Sequence, residues 1–557
     1  MWALVVVGSL VLAMPLAASL PEAEGDDVAR LIAEQIKALV AQERYSCRGE
    51  LVCGIALIPD FYAARSYRPA WTTHRELLPA GRDLLRAIHS VDRYALEADD
   101  YHLRQLQRMT ASLSRSFHGT GPIDARLRAD YDLLMTDAFF LLASHILGGR
   151  VNPESIHPEW EAYSRETDLT RLLQETLDST QIINLIDQLH PPHEGFQGMR
   201  RALAQYRRIA AQGGWETIPA GPRLERGMQN EAVGRLRRRL IQTGDLNDIQ
   251  HFNPHLFDGP LEKAVVAFQV RHGIEPDGVV GPQTRRAMNI PVAQRVQQLE
   301  INMERWRWIP KDLGRRYLLV NIADYTLIGV EEGRTRLQMR VIVGRTYRKT
   351  PVFSEEMTYL VLNPFWNIPH KLALKDVVPK IRKDPEYSRR QGIRVFSDWG
   401  PNAVELDIDD VDWHQMASGN LGLRLRQDPG PHNALGRIKF MLPNKYAVYL
   451  HDTPARRQFN ALSRSFSSGC IRVEDPVGLA AFVLDDATAW DPAAIQAIIS
   501  AGERRVVRLN RPIPVHILYW TAWSDAAGRI HFRDDIYDRD PQLARALHTR
   551  RAADQPT

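Results

Sequence analysis

The chain has 557 residues, 44% of them hydrophobic and 25% charged, a globular composition too long for a single core. About three domains are expected from that length. The formal net charge is only +4, with no Lys/Arg block or basic helix, which argues against a nucleic-acid partner.

The first stretch, "MWALVVVGSLVLAMPLAASLPEAEG", is apolar from Trp2 to Leu20. As a helix it would reach ~28 Å, close to the ~30 Å of a bilayer core. Ala17, Ala18 and Ser19 resemble a signal-peptidase site. Residues 1–20 are therefore read as an export signal, either cleaved or kept as a single membrane anchor. That reading places the rest of the chain in the periplasm and limits membrane contact to this segment. Cys47 and Cys53, close together in "YSCRGELVCG", then read as a local disulfide, with two buried thiols as the other reading. Cys470 is left over, which suggests a free reactive thiol.

A helix is expected over 26–45, capped by Asp26 or Asp27, with Val28, Leu31, Ile32, Ile36, Leu39 and Val40 on one apolar stripe. Further helical patterns follow, and residues 26–216 are read as an α-helical domain. The strongest pattern, "ADYDLLMTDAFFLLASHILGG", stops at the C-cap candidates Gly148 and Gly149. "TIPAGPRLERG" reads as a linker. "HPPHE" at His190–Glu194 and "HFNPH" at His251–His255 do not supply convergent zinc ligands, so no metal is expected. No P-loop, dinucleotide fingerprint or G-x-S-x-G elbow occurs, and no organic cofactor is expected.

Over 225–290, Leu236 and Leu240 mark one helix. "AVVAFQ" with Val265, Phe268 and Gln269 marks a second. "PDGVVGPQT" supplies a turn at Asp277, Gly278 and Gly281 before a third helix from Thr284. This block resembles the peptidoglycan-binding domain type 1, which implies a small three-helix module. From Tyr317 the pattern turns to β: "YLLVNIADYTLIGVEE", "RLQMRVIVG", "TYLVLNPFWNIP" and "YAVYLHD" are rich in β-branched and aromatic residues. A charged segment at about 370–427 interrupts the sheet and reads as an insertion, a lid containing Trp399 and Trp413. "VHILYWTAWSDAAGRIHFRDDIYD" reads as a terminal hairpin, so residues 513–557 are assigned to a C-terminal hairpin and tail.

The chemistry concentrates in "HDTPARRQFNALSRSFSSGCIRV", His451 to Val473. A cysteine and a histidine brought together form a thiol–imidazole pair able to attack a carbonyl. Gly469 permits close backbone approach, amides around Gly469 and Cys470 can serve a developing oxyanion, and Arg472 adds positive charge. A buried thiol with a structural imidazole is the bland alternative. The "SSGCIR" context, two serines and a glycine, makes a poor core and a good presenting loop.

"HDT" at His451–Thr453 and "SSGCIR" at Ser467–Arg472 resemble the two boxes of the L,D-transpeptidase (YkuD) catalytic domain. Many members carry His where Ser468 stands and Gly where Asp452 stands. Both departures fit a large Gram-negative subgroup, as do "NPFWNIP", "PGPHNALGRIKFMLPN" and "YWTAW…FRDDIYDRD". The resemblance implies an α+β multidomain chain: a helical scaffold, an embedded peptidoglycan-binding module and a β-rich catalytic domain at 315–512 with a lid. It implies Cys470 as nucleophile, His451 as base and Gly469, Ser468 and Arg472 as oxyanion or loop support. Tyr449 matches a pocket tyrosine of the subgroup, a core strand aromatic being its other reading. Trp366, Asn363 and Ser467 are assigned to substrate binding. The implied activity is 3→3 cross-linking of peptidoglycan stem peptides. Hydrolysis or D-amino-acid exchange on the same donor, or a catalytically inactive wall-binding scaffold, are the alternatives. Peptidoglycan stems and glycan are the expected partners, with other wall-synthesis enzymes as further candidates.

Overall fold

The computed structural model describes residues 22–42, 44–118, 123–161, 167–179, 181–247, 253–418 and 422–553. The apolar segment 1–20 lies outside them, as does His251. Among the described residues no helix is long and apolar enough to cross a membrane.

The N-terminal part is helical: α1 (Glu22–Ala41), a small hairpin β1 (Tyr45–Cys47) and β2 (Glu50–Val52), then α2 (Ile58–Ala64), α3 (Pro79–His89), α4 (Leu103–Phe117), α5 (Ala125–Gly148), α6 (Leu169–Ser179), α7 (Ile182–Leu189) and α8 (Glu194–Ala211). Helix α5 is the hub, buried on nearly every face. The Asp124 carboxylate caps its start by accepting from the Arg126 and Leu127 amides, and Gly149 ends it at φ +84°.

Three buried carboxylates on α5 hold irregular chain against it. Asp132 accepts from the Ala70 and Trp71 amides (2.7 and 3.0 Å) and from the Tyr62 hydroxyl (2.7 Å). Asp137 accepts from the Cys53 amide (2.9 Å) and lies 2.7 Å from His102 Nε2. Asp130 takes Arg48 Nε at 2.6 Å. A buried acid is costly unless its lone pairs are filled; here loop amides fill those of Asp132 and Asp137, and the Gln35 and Arg48 side chains fill those of Asp130.

His102 bridges Asp137 and Glu50. Burial opposes its charge, but hydrogen bonds from Asp137 and Glu50 outweigh it, and the pKa is pushed up from 6.5 to about 9. The folded value exceeds the unfolded one. The charged ring therefore stabilises fully below about pH 6.5, and that stabilisation is lost as pH rises through about 9. His102→Gln is expected to cost roughly 1–3 kcal/mol at pH 6 and clearly less at pH 10, read by thermal melts. An equal loss at both pH values contradicts this.

The disulfide expected between Cys47 and Cys53 is not formed; both are free thiols. The hairpin register explains it. Cys47 pairs with Glu50, so Cys53 lies three pairs away, at ~10 Å along the strands, too far to bridge. Cys47 faces the core beside the Asp130 carbonyl, whereas Cys53 is exposed.

Three helices, α9 (Glu231–Gln242), α10 (Gly259–Arg271) and α11 (Pro282–Met288), form the next module around Leu236, Leu240, Val265 and Phe268. Its sequence signature is one hydrogen-bonded knot. Gln269 Nε2 donates to Asp277 (2.7 Å), the Val279 carbonyl (3.0 Å) and Thr284 (3.1 Å), while its Oε1 accepts from the Gly278 amide (2.9 Å). The motif residues thus hold the fold itself. Helix α12 (Val292–Trp306) then packs on α8 and leads into the sheet.

Strands β3 (Arg316–Asn321), β4 (Thr326–Glu331), β5 (Arg334–Gly344) and β6 (Phe353–Leu362) open the β domain. The chain leaves through β7 (Trp366–Asn367) into the insertion. This contains short helices α13 (His370–Leu372), α14 (Val378–Lys383), α15 (Glu386–Arg390) and α16 (Trp413–Ala417), with strands β8 (Ile393–Phe396), β9 (Glu405–Leu406) and β10 (Arg424–Gln427). The order β7-β10-β8-β9 makes a separate sheet over its own core of Ile368, Val378, Ile381, Val395, Met416 and Leu425. The insertion is therefore a folded subdomain rooted at Trp366, four residues before the expected start. Trp413 packs on that core, whereas Trp399 is half exposed.

The chain returns through β11 (Ile438–Met441), β12 (Leu450–His451), β13 (Ser465–Ser467), β14 (Ile471–Val473), α17 (Pro476–Leu484), α18 (Pro492–Ala501) and β15 (Arg505–Leu518). The main sheet runs β13-β5-β14-β12-β11-β6-β15-β3-β4, and β4 pairs back onto β5, so the strands close into a ring. Strand β15 corrects the expected boundary at 512: residues 513–518 pair with β3 and β6 inside this sheet. The terminal hairpin is shorter, β16 (Ala522–Ser524) and β17 (Ile530–Phe532) around a turn at Asp525–Gly528, and the tail is helical, α19 (Asp540–Ala553). Asn302 of α12 exchanges two hydrogen bonds with Thr521, at 2.8 and 3.0 Å, locking helical and β regions together.

Candidate active site

Directly paired residues share a face of a sheet, and residues two apart along a strand return to it. Lys439 on β11 pairs with His451 on β12, and His451 pairs with Arg472 on β14. Tyr449 and Cys470 each stand two residues before a member of that row. Five polar side chains therefore converge on one face, while Leu450 and Ile471 between them point into the core.

Cys470 ends a tight turn. The Ser467 hydroxyl donates to the Cys470 carbonyl (2.6 Å) and accepts from the Gly469 amide (3.1 Å). Gly469 sits at φ +119°, a conformation that disfavours any side chain. The thiol is half-buried. Burial pushes it up from its ordinary range, against the pull of the Tyr449 backbone amide and hydroxyl, Lys439 and Arg472, which favour the thiolate.

The His451 Nδ1–H donates to the Asp452 carbonyl, and the Leu435 backbone also hydrogen-bonds the ring. Burial pulls its pKa down to about 3, and Arg472 and Lys439 add to the effect. The resting pair at neutral pH is thus thiol and neutral imidazole. Asp452 accepts from the Arg437 amide (2.8 Å) and pairs with Arg456 (3.2 Å).

The expected site residues divide sharply. Cys470, His451, Tyr449, Arg472 and Trp366 come together: the Trp366 indole interacts with the Tyr449 hydroxyl, which in turn interacts with the thiol. The Tyr449 ring lies 5.7 Å from that of His451. Arg472 also donates to Gln458 (2.9 Å). Ser468 is exposed and accepts from Arg348 (2.8 Å), which pairs with Asp376 of the insertion (2.7 Å).

Three assignments need correction. Asn363 is buried at φ +46°, and its side-chain NH2 is spent on the Ile498, Ile499 and Glu503 carbonyls at the end of α18, so it is not free to bind a donor. Ser467 is buried and both its hydroxyl bonds serve the turn, so it does not face a substrate. The Gly469 amide, a candidate oxyanion donor, is occupied by Ser467, leaving Gly469 the role of loop support.

Lys439 was missed. Its Nζ lies 3.9 Å from the Tyr449 ring centroid, and among the described residues the charged groups that act on it are Cys470 and Arg504, not a carboxylate. Burial lowers its pKa and the nearby Cys470 raises it. Only the β11–β12 register reveals this; in sequence it is one lysine between buried Ile438 and Phe440. Lys439→Met removes a charge that favours the thiolate, so the thiol pKa rises. Alkylation of Cys470 by iodoacetamide at pH 7 should slow by roughly 3–10-fold, with the pH–rate curve displaced to higher pH. An unmoved curve refutes the electrostatic role.

Residues 315–506 match the family described as the L,D-transpeptidase catalytic domain. The chain carries an L,D-transpeptidase domain. Residues 56–203 match a scaffold domain, and residues 229–288 match the family described as "Putative peptidoglycan binding domain". A curated relative, the "Putative L,D-transpeptidase" of Haemophilus influenzae, is 35% identical over 259 residues, 46% of this chain and 51% of that protein. The chain spans about half the length of that relative. Solved L,D-transpeptidase structures from Xylanimonas cellulosilytica (17% identity, 54% of this chain and 98% of that one, TM-score 0.16) and Stackebrandtia nassauensis (13%, 54% and 96%, TM-score 0.21) are more distant.

Proposed function

We propose that the protein is a peptidoglycan L,D-transpeptidase that forms 3→3 cross-links through an acyl-enzyme on Cys470. The observation that carries this reading is the row of Lys439, His451 and Arg472 flanking a glycine-turn thiol, within an L,D-transpeptidase domain. The Cys470 sulfur attacks the carbonyl of the third stem residue, and His451 takes the thiol proton. The C–N bond to the terminal D-amino acid breaks, and that proton leaves with its amine. The side-chain amine of a diamino acid on a second stem then attacks the thioester, gives a proton to His451 and frees the thiol. One amide is exchanged for another, without oxidation or reduction.

Because thiol and imidazole both rest neutral, the thiolate forms as attack begins. Lys439 and Arg472 then stabilise it, and its own charge raises the affinity of His451 for the proton. The subdomain rooted at Trp366 serves as a lid, joined to the nucleophile loop through Arg348, Asp376 and Ser468. It excludes water so that an amine wins the thioester. The peptidoglycan-binding and catalytic matches support peptidoglycan as substrate and an extracytoplasmic location.

Incubation with disaccharide-tetrapeptide, followed by mass analysis, tests the reading. Dimers lacking one D-amino acid are expected. Tripeptide monomers alone would indicate hydrolysis, exchange with an added D-amino acid would indicate an exchange enzyme, and unchanged substrate would leave a binding scaffold.

A further inference from the structure

The loop between β5 and β6 is pinched at its neck by Gly344 and Thr350, both buried. The Thr350 hydroxyl accepts from the Gly344 amide (2.9 Å) and donates to the Gly469 carbonyl (2.8 Å). The Thr350 amide donates to the Tyr537 hydroxyl (3.2 Å), which donates to the Gly344 carbonyl (2.6 Å). The neck has no spare space, since a Cβ on Gly344 would lie 2.1 Å from the Arg348 carbonyl oxygen.

Tyr537 lies outside the 315–506 catalytic match and is itself fixed by the Tyr519 hydroxyl, which accepts its amide proton (2.9 Å). Arg539, fully buried, donates to the Thr350 carbonyl (3.4 Å) and to Glu159 (3.0 Å). Backbone bonds of Val352 with Glu159 (3.0 Å) and Glu161 (2.9 Å) complete the brace from the helical side.

In a trans peptide the C=O and N–H point in opposite directions. Holding the Gly469 oxygen against Thr350 therefore fixes the Cys470 N–H on the far side of the same plane. The Gly469 amide is already bonded to Ser467, whereas the Cys470 amide makes no hydrogen bond among the described residues. We propose that Thr350, clamped by Tyr537, is a positioning residue that aims the Cys470 N–H at the oxyanion formed when this thiol is acylated. The proposal rests on the reading of Cys470 as the nucleophile.

Acylation of a thiol passes through an oxyanion; alkylation does not. The test compares the rate of Cys470 acylation by p-nitrophenyl acetate with its alkylation by iodoacetamide, both assigned by peptide mass mapping. Thr350→Val is expected to slow acylation by roughly 10–100-fold while alkylation stays within about twofold, and Thr350→Ser is expected to restore acylation. A parallel fall of both rates, no change in either, or failure of serine to rescue overturns the proposal. If Thr350→Val does not fold by thermal melt, Tyr537→Phe decides by the same ratio. A wild-type protein that takes acetyl on Cys470 but leaves disaccharide-tetrapeptide unchanged defeats the transpeptidase reading, while the ratio still judges Thr350.

Discussion

Cys470→Ala is expected to abolish acyl transfer, a loss of at least ~10⁴-fold, without unfolding the protein. The turn that presents the thiol is held by Ser467 and Gly469, which the substitution leaves in place. Removing one sulfur from a half-buried position should cost no more than about 1 kcal/mol. Binding to isolated peptidoglycan should survive, because the three-helix module has its own core. A carbapenem-type β-lactam, whose strained amide stands in for the donor carbonyl, should add one covalent mass to the parent and none to the variant. Cys53 is an internal control, since its thiol is exposed and lies in the N-terminal hairpin region, outside the row of Lys439, His451 and Arg472. A stable adduct on Cys53, or turnover by the alanine variant, would remove Cys470 from the mechanism.

The second large effect concerns the insertion. Replacing residues 370–427 with a short Gly/Ser link removes β8, β9 and β10, the sheet that supports Trp366, and the Asp376 partner of Arg348. The central strands that carry Lys439, His451 and Cys470 pair among themselves and with β5 and β6, not with the insertion. Iodoacetamide should therefore still reach Cys470 at close to the parental rate. Cross-linking should fall by about tenfold or more, because donor positioning and water exclusion are lost while thiol chemistry remains. Parental levels of cross-linking from the truncated protein would make the subdomain a docking surface instead of a lid.

The loop geometry around Cys470 and the turn of the three-helix module were legible because each lies in local sequence. A cysteine framed by Ser467, Ser468 and Gly469 can hardly be core, and the Gln269–Asp277–Gly278–Thr284 pattern closes on itself within sixteen residues. What escaped depends on register and distant partners. Asn363 looks like a groove residue in "NPFWNIP", yet its partners lie more than 130 residues later at the end of α18. Lys439 gains its place only because β11 pairs with β12. The Cys47–Cys53 pair looked plausible by spacing, but a hairpin register of Cys47 to Glu50 pulls the two apart. Thr350 and Tyr537 are 187 positions apart and meet only through the closed sheet.

The central claim is that Cys470 carries the acyl group between donor and acceptor. The most direct measurement is rapid acid quench of the protein with disaccharide-tetrapeptide, followed by peptide mapping of the thiols. The account predicts a thioester on Cys470 with the mass of the donor less its terminal D-amino acid, and its disappearance into dimer when acceptor stems are added. Cross-linked product formed with Cys470 unmodified throughout, or with the acyl group on another residue, would contradict it.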